Sequence, residues 1–408
     1  MFENRYLKAV LILLILPLLL TAQNTNSPYS RYGFGVQEYS TLGKTRGMGG
    51  VSVGIREKNM INPSNPASYS ALDTMTMLFD FGMTGSLSTF REASVGQTNP
   101  NGGLDYVAMK IPLKSWWGLA VGINQFSKVG YSYSFENTLS NDEEYVESYY
   151  GTGGLTSLFI GTSVALWKNL GLGVNYKYYS GMITQTSATS FTDADYLSQT
   201  VTEYWYLNGS SFDVGLQYQQ PIGKRNKLIL GATFSEKMPL NNTLYTVSIA
   251  SDTITTTSES VFEMPRTIGL GASWIYDDRL TLALDYQQQN WADVNFHGVT
   301  DSLSNNRRIS FGAEYLPSFI TNSYYKAVKY RFGGYYSDSY ISNDLGNLKT
   351  VGLTFGVGLP LRKQRSALNL SFEVGKVLPP QSSMVQETYY KLSLDITFNE
   401  AWFFKRKL

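Results

Sequence analysis

The chain has 408 residues, no cysteine and one histidine, and its 33 basic and 32 acidic residues leave a formal charge of +1. These counts exclude disulfides, thiolate or histidine-cluster metal sites and lipid attachment through an N-terminal cysteine, and they lack the basic excess of a nucleic-acid binder. Aromatic residues make up 14% and charged residues 16%, a balance that suits a membrane boundary, because Tyr and Trp rings are apolar at one end and hydrogen-bonding at the other.

Residues 1–23 read as a secretory signal peptide. Arg5 and Lys8 precede an apolar run over 10–20, and the small residues Thr21 and Ala22 stand before Gln23. Roughly ten apolar residues are too few to span a bilayer as a helix. No later run reaches the length of about 20 that a transmembrane helix needs. An exported chain can still cross a membrane as a closed barrel, in which each backbone donor and acceptor pairs with a neighbouring strand.

Residues 24–73 are rich in Gly, Ser, Asn and Pro and show no sustained alternation. They contain Arg46-Gly47-Met48-Gly49-Gly50-Val51-Ser52-Val53 and then Ile61-Asn62-Pro63-Ser64-Asn65-Pro66-Ala67-Ser68. Gly47, Gly49 and Gly50 permit tight turns, Pro63 and Pro66 bias Asn62 and Asn65 away from helix, and the Asn amides can satisfy turn backbone. The composition fits a compact plug, and it fits a disordered leader as well.

From 74 to 398 the period is two. Ile268, Leu270, Ala272 and Trp274 alternate with Gly269, Gly271 and Ser273, and Leu280, Leu282, Leu284 and Tyr286 alternate with Thr281, Ala283 and Asp285. Long connections are expected near 91–103, 136–154, 190–203, 236–265, 297–306, 341–348 and 378–386, with short turns between them. That asymmetry belongs to outer-membrane barrels, and it predicts an all-β, about 14-stranded antiparallel transmembrane β-barrel. The expected strands are 75–90, 104–112, 116–135, 155–167, 169–190, 200–220, 227–240, 266–276, 279–296, 307–317, 327–340, 349–361, 366–378 and 386–398. Several exceed the roughly 9–11 residues needed to cross the hydrocarbon, which predicts an extracellular collar. A tail over 399–408 would follow. Both termini are expected in the periplasm, since an even number of strands returns the chain to its starting side.

Lys177, Asp213, Asp285, Glu314, Glu373 and Asp395 fall on the inward face. Fourteen strands enclose more space than such side chains fill, so a plug is expected in the lumen. Catalytic chemistry is not evident. Gly47-Met48-Gly49-Gly50 misses the dinucleotide fingerprint, His297 has no nucleophile elbow to serve, and Asp142, Glu143, Glu144 and Glu147 match no calcium-loop spacing. Neither an enzyme, a metal site nor a cofactor is expected.

The glycine-rich turn followed by an Asn-Pro-Ala element, set between an export signal and alternating strands, resembles the FadL family of outer-membrane proteins. The resemblance implies an N-terminal hatch in the lumen, with Asn65, Pro66 and Ala67 as its Asn-Pro-Ala element and Asn62-Pro63-Ser64 as an imperfect repeat. It also implies a passive channel for hydrophobic small molecules such as fatty acids, with gating at Gly47, Gly49, Gly50, Asn62, Pro63, Asn65, Pro66 and Ala67. Membrane lipid and a hydrophobic ligand are the partners it implies. FadL-like barrels also serve as non-transporting subunits of Bacteroidota outer-membrane assembly or secretion machines, which would bring outer-membrane protein partners instead. A connected apolar path through the lumen separates the two expectations.

Overall fold

The computed structural model describes residues 27–39, 41–73, 76–92, 95–139, 143–167, 169–193, 195–299, 303–318, 323–343, 346–361, 366–381 and 384–401. The expected signal peptide, Asp142 and most of the expected C-terminal tail lie outside them.

The two-residue period becomes a closed antiparallel barrel of fourteen strands. In chain order these are β1 (Thr76–Glu92), β2 (Val95–Lys114), β3 (Trp117–Gln125, resumed as Ser127–Thr138), β4 (Glu144–Trp167), β5 (Leu170–Phe191), β6 (Gln199–Ile222) and β7 (Asn226–Ser235, resumed as Met238–Ile249). They continue as β8 (Thr267–Tyr276), β9 (Leu280–Gln289), β10 (Asn306–Tyr315), β11 (Lys329–Asn343), β12 (Gly346–Pro360), β13 (Ala367–Leu378) and β14 (Gln386–Ala401). Two short pieces, Thr253–Ser258 and Phe262–Met264, lead into β8. The ladder between β14 and β1, from Gln386 opposite Arg91 to Ala401 opposite Thr76, closes the cylinder.

Alternation sorts the two faces as expected. Leu282 and Leu284 are 42% and 56% exposed on the outer wall, whereas Ala283 and Asp285 between them are 8% and 4% exposed toward the lumen. The outer face near the short turns carries Trp116, Trp167, Trp274, Tyr276, Tyr315 and Tyr330, all exposed, and Tyr178, Tyr206, Tyr336 and Tyr390 stand farther along the wall. An apolar belt bordered by such rings is the outer surface of a membrane barrel.

The strands run farther than the alternation. The expected long connections at 91–103, 136–154 and 236–265 are largely strand, since β2 begins at Val95, β3 reaches Thr138, β4 begins at Glu144 and β7 reaches Ile249. Ladder bonds persist there while the apolar alternation becomes broken, with Met238, Leu240 and Leu244 buried but polar residues interspersed on both faces, which weakens the pattern that marks a strand in sequence. At the other end β14 continues through Asn399 to Ala401, past the expected stop at Phe398. A short helix, Tyr324–Ala327, leads into β11.

Candidate functional site

The segment from Ser27 to Asp73 lies inside the barrel and divides into two parts. Residues 41–73 fill the half near the short turns, where two short 3-10 helices, Gly43–Met48 and Pro66–Ser70, touch opposite sides of the wall. All eight residues expected to form the hatch are here. Gly49 and Gly50 adopt left-handed backbone with φ of 69° and 81°, and the Gly49 N–H donates to Thr354 Oγ1 at 2.7 Å. Gly47 is inside the first 3-10 helix, against Gly356 and Ser371 of the wall. The Asn62 amide donates to the carbonyls of Ser52 and Ile55 at 2.6 and 3.2 Å, and Pro63 O accepts from Asn175 Nδ2 at 2.9 Å.

Asn65 caps the second 3-10 helix. Its Oδ1 accepts from the Ala67 N–H at 3.1 Å, while Nδ2 donates to Val53 O at 2.8 Å and to Leu216 O of β6 at 3.2 Å. Pro66 opens that helix, where its missing N–H leaves nothing unpaired. Ala67 O accepts from Ser163 Oγ of β4 at 2.8 Å. The insert backbone comes so close to the wall that a Cβ on Gly231 would lie 2.0 Å from Val53 O, and one on Gly215 would lie 2.2 Å from Asn65 Oδ1. Glycine at these wall positions is a footprint of the plug rather than an open lumen surface.

Charged groups complete the anchoring; the sequence placed Asp285, Glu314, Glu373 and Asp395 on the inward face but missed Lys44, Arg46, Lys110 and Arg308. Asp285 accepts the consecutive N–H groups of Ser52, Val53 and Gly54 at 2.5, 2.7 and 3.4 Å. Arg46 reaches Asp105 at 2.7 Å and lies 3.7 Å from Asp395. Lys44 pairs with Glu57 and lies 3.5 Å from Glu314, which also holds Arg331 at 2.7 Å. Lys110 donates to the carbonyls of Lys58, Met60 and Ala71 at 2.9, 2.6 and 3.2 Å. Arg308 is sandwiched between Tyr39 of the insert and Tyr335 of the wall, 4.1 and 3.7 Å from the two ring centres. Of the other inward charges, Lys177 and Asp213 pair with each other at 2.5 Å, and Glu373 accepts from the Tyr335 hydroxyl at 2.6 Å. Burial disfavours the Glu57 carboxylate, but Lys44 and Lys329 overcome that penalty and hold it below the usual glutamate range. Burial alone brings the Arg56 guanidinium down to about 10.

Residues 27–38 occupy the long-loop half. β2 and β3 pair only as far as Tyr106 opposite Asn124, and no ladder joins Val95–Asp105 to Ser127–Thr138 among the described residues. The insert covers this seam. Val36 and Gln37 pair with Lys128 and Ser127, Glu38 N–H donates to Phe126 O at 2.8 Å, and the Ser30 hydroxyl bonds both the carbonyl and the N–H of Gly130 at 2.9 and 3.0 Å. Arg31 stacks 3.9 Å over Tyr149, and Phe34 inserts among Phe262, Trp291 and Phe296 with ring centres 5.0–6.0 Å away. Ser27 donates to Glu387 at 2.7 Å near the start of β14. The described chain thus starts in the long-loop half and crosses the lumen before β1. The first and last barrel strands begin and end side by side, at Thr76 and Ala401, and the two termini lie outside the described residues.

Two cavities lie beside the insert. One of 230 Å³ is lined by Glu38, Arg46, Asp105, Lys128, Arg308 and Lys391 among others, and one of 110 Å³ by Lys177, Asp213, Gln287 and neighbours. Both linings mix charged with apolar side chains, Ile341 and Leu348 in the first and Phe126 and Met238 in the second. Among the described residues no cluster of metal-ligating side chains occurs. His297 is exposed, with Ser260 Oγ 3.3 Å from its Nδ1.

Known structures share this architecture. The toluene transporter TbuX of Ralstonia pickettii superposes with a TM-score of 0.60 at 14% identity, over 90% of this chain and 99% of the other. The toluene transporter TodX of Pseudomonas putida gives 0.58 at 15% identity, over 90% and 100%. A FadL homologue of Pseudomonas aeruginosa gives 0.57 at 11% identity, over 89% and 99%. At such identity the likeness establishes a FadL-like outer-membrane barrel fold. Comparison with curated proteins gives no match. A family description does match, over residues 5–408, nearly the whole sequence, and the chain belongs to that family, BamG.

Proposed function

We propose that this protein is a sealed, non-transporting barrel subunit of an outer-membrane assembly, with the segment 24–73 as a fixed lumen filler. The observation that carries the reading is the filled lumen. The insert crosses it from the long loops to the short turns, covers the β2–β3 seam, is tied to the wall by ion pairs and buried hydrogen bonds, and leaves pockets of 230 and 110 Å³ with mixed linings. A hydrophobic solute would have to displace ion pairs and buried hydrogen bonds, each of which leaves a costly unpaired group when broken. In this reading the short turns face the periplasm and the collar faces outward.

The fold favours a second reading. A barrel shaped like the toluene transporters can act as a passive conduit for hydrophobic molecules such as fatty acids, with Gly47, Gly49, Gly50, Asn62, Pro63, Asn65, Pro66 and Ala67 moving as a gate. Wild type and the double variant Asn65→Ala/Pro66→Ala separate the two. In liposomes, the sealed-subunit reading expects no uptake of a fluorescent fatty acid above protein-free vesicles by wild type, and stoichiometric co-purification of outer-membrane proteins in mild detergent. Wild-type uptake that the double variant alters, with no stable partner, would replace it with the conduit.

A further inference from the structure

Above the wall, β4, β5, β6 and β7 stay paired in order, and the piece Thr253–Ser258 adds a further strand beyond β7. Tyr245 lies opposite both Tyr204 and Thr257, and Ile249 opposite both Thr200 and Thr253. Among the described residues, Thr253–Ser258 pairs on one side alone, with Leu244–Ile249. All six of its residues are exposed, Ile254 at 62%.

Its sequence, Thr-Ile-Thr-Thr-Thr-Ser, consists almost entirely of β-branched residues, which favour extended backbone. Soluble edges are ordinarily blunted by lysine, proline, a bulge or a covering loop, since a bare edge templates further pairing. None of these devices is present here. The nearest charges, Asp252 and Glu259, flank the strand at its two ends. The base is held firmly, because the Asn242 side chain bonds the Ser260 carbonyl and N–H at 2.7 and 2.9 Å, and Phe262 beyond it is fully buried. A rigid base carrying an uncovered edge is a preformed docking element rather than a frayed tip.

We infer that Thr253–Ser258 is the docking edge for an extended segment of a separate protein at the outer surface, which adds to the collar sheet as a new edge strand. This rests on the assembly reading and names the contact by which a partner is held. A second copy of this chain is a poor occupant for a geometric reason. The strand follows the direction of the wall strands, so antiparallel pairing with the same edge of another copy would turn that barrel upside down in the membrane. Parallel pairing about the strand axis, tilted by about 35–45° from the normal, would tip the second barrel by roughly twice that angle. A flexible segment of a different chain has neither restriction. The edge supplies backbone hydrogen bonds, and the threonine side chains admit a polar partner strand with β-branched or small residues facing them.

The test places a photo-crosslinking amino acid singly at Thr253, Thr255 and Thr257 of the full-length protein in intact cells, with mass-spectrometric mapping of the adducts. The expected result is one partner protein other than this chain, with attachment points advancing along one segment in step with the position probed. Adducts scattered over several proteins, adducts to a second copy, or no adduct would overturn the inference. The double variant Thr255→Lys/Thr257→Lys is then compared with Thr255→Ser/Thr257→Ser, each checked for a folded barrel by heat-modifiable electrophoretic mobility. Loss of the partner's co-purification in the lysine variant alone supports the edge. Co-purification unchanged in both overturns the edge and leaves the assembly reading standing, whereas wild type that brings down no partner sinks the assembly reading with it.

Discussion

Asp285 shows how much one lumen side chain can do. An inward carboxylate in a wide barrel is ordinarily a hydrated lumen charge, yet here it receives three successive backbone N–H groups of the insert. Removing it in Asp285→Ala strands donors that are buried against the wall, at about 1–3 kcal/mol for each group left unsatisfied. Hydrogen exchange should therefore accelerate at Ser52–Gly54 while the amides of β9 and β10 keep their protection. Equal protection of the insert in variant and wild type would show that it is held by its other anchors.

Strand register governs the next scale, because a shift of one residue sends every outward side chain inward. β9 is a sensitive reporter, with Leu282 on the lipid face and Ala283 facing the lumen. Leu282→Arg is expected to destabilise the barrel by about 2–4 kcal/mol near the bilayer midplane, and Ala283→Ser by far less. Chemical unfolding midpoints in detergent or lipid vesicles measure the difference, and matching midpoints would move the register by one. The elements also show where sequence reading stops. β4 and β5 are 24 and 22 residues long, and their lipid-facing portions alternate plainly. Their upper portions are solvated on both faces and resemble loops until ladder pairing is known.

At the scale of the whole molecule, the insert converts an open cylinder into a filled one, and topology becomes the most direct test. The chain has no native cysteine, so single cysteines can be read without background. Asp252→Cys in the collar should label in intact cells with a membrane-impermeant reagent, and Lys224→Cys in the short turn between β6 and β7 should label only after the outer membrane is opened. The reverse pattern would invert the barrel.

The sequence by itself determined the all-β barrel, the number of strands and the lipid-facing register of β8 and β9, and it singled out the Gly-, Asn- and Pro-rich stretch before the first strand. These features are written in local order, as period-two alternation, turn composition and the spacing of Gly, Asn and Pro. The tertiary structure decided which inward charge meets which insert group, why glycine lines the wall at Gly215 and Gly231, and how Ser30, Val36 and Gln37 cover the seam between β2 and β3. It also turned the expected loop at 236–265 largely into sheet, with an edge at Thr253–Ser258 that is unpaired among the described residues. Such contacts join residues up to 360 positions apart. They depend on closure of the cylinder around its own N-terminal segment, and no local pattern carries that information.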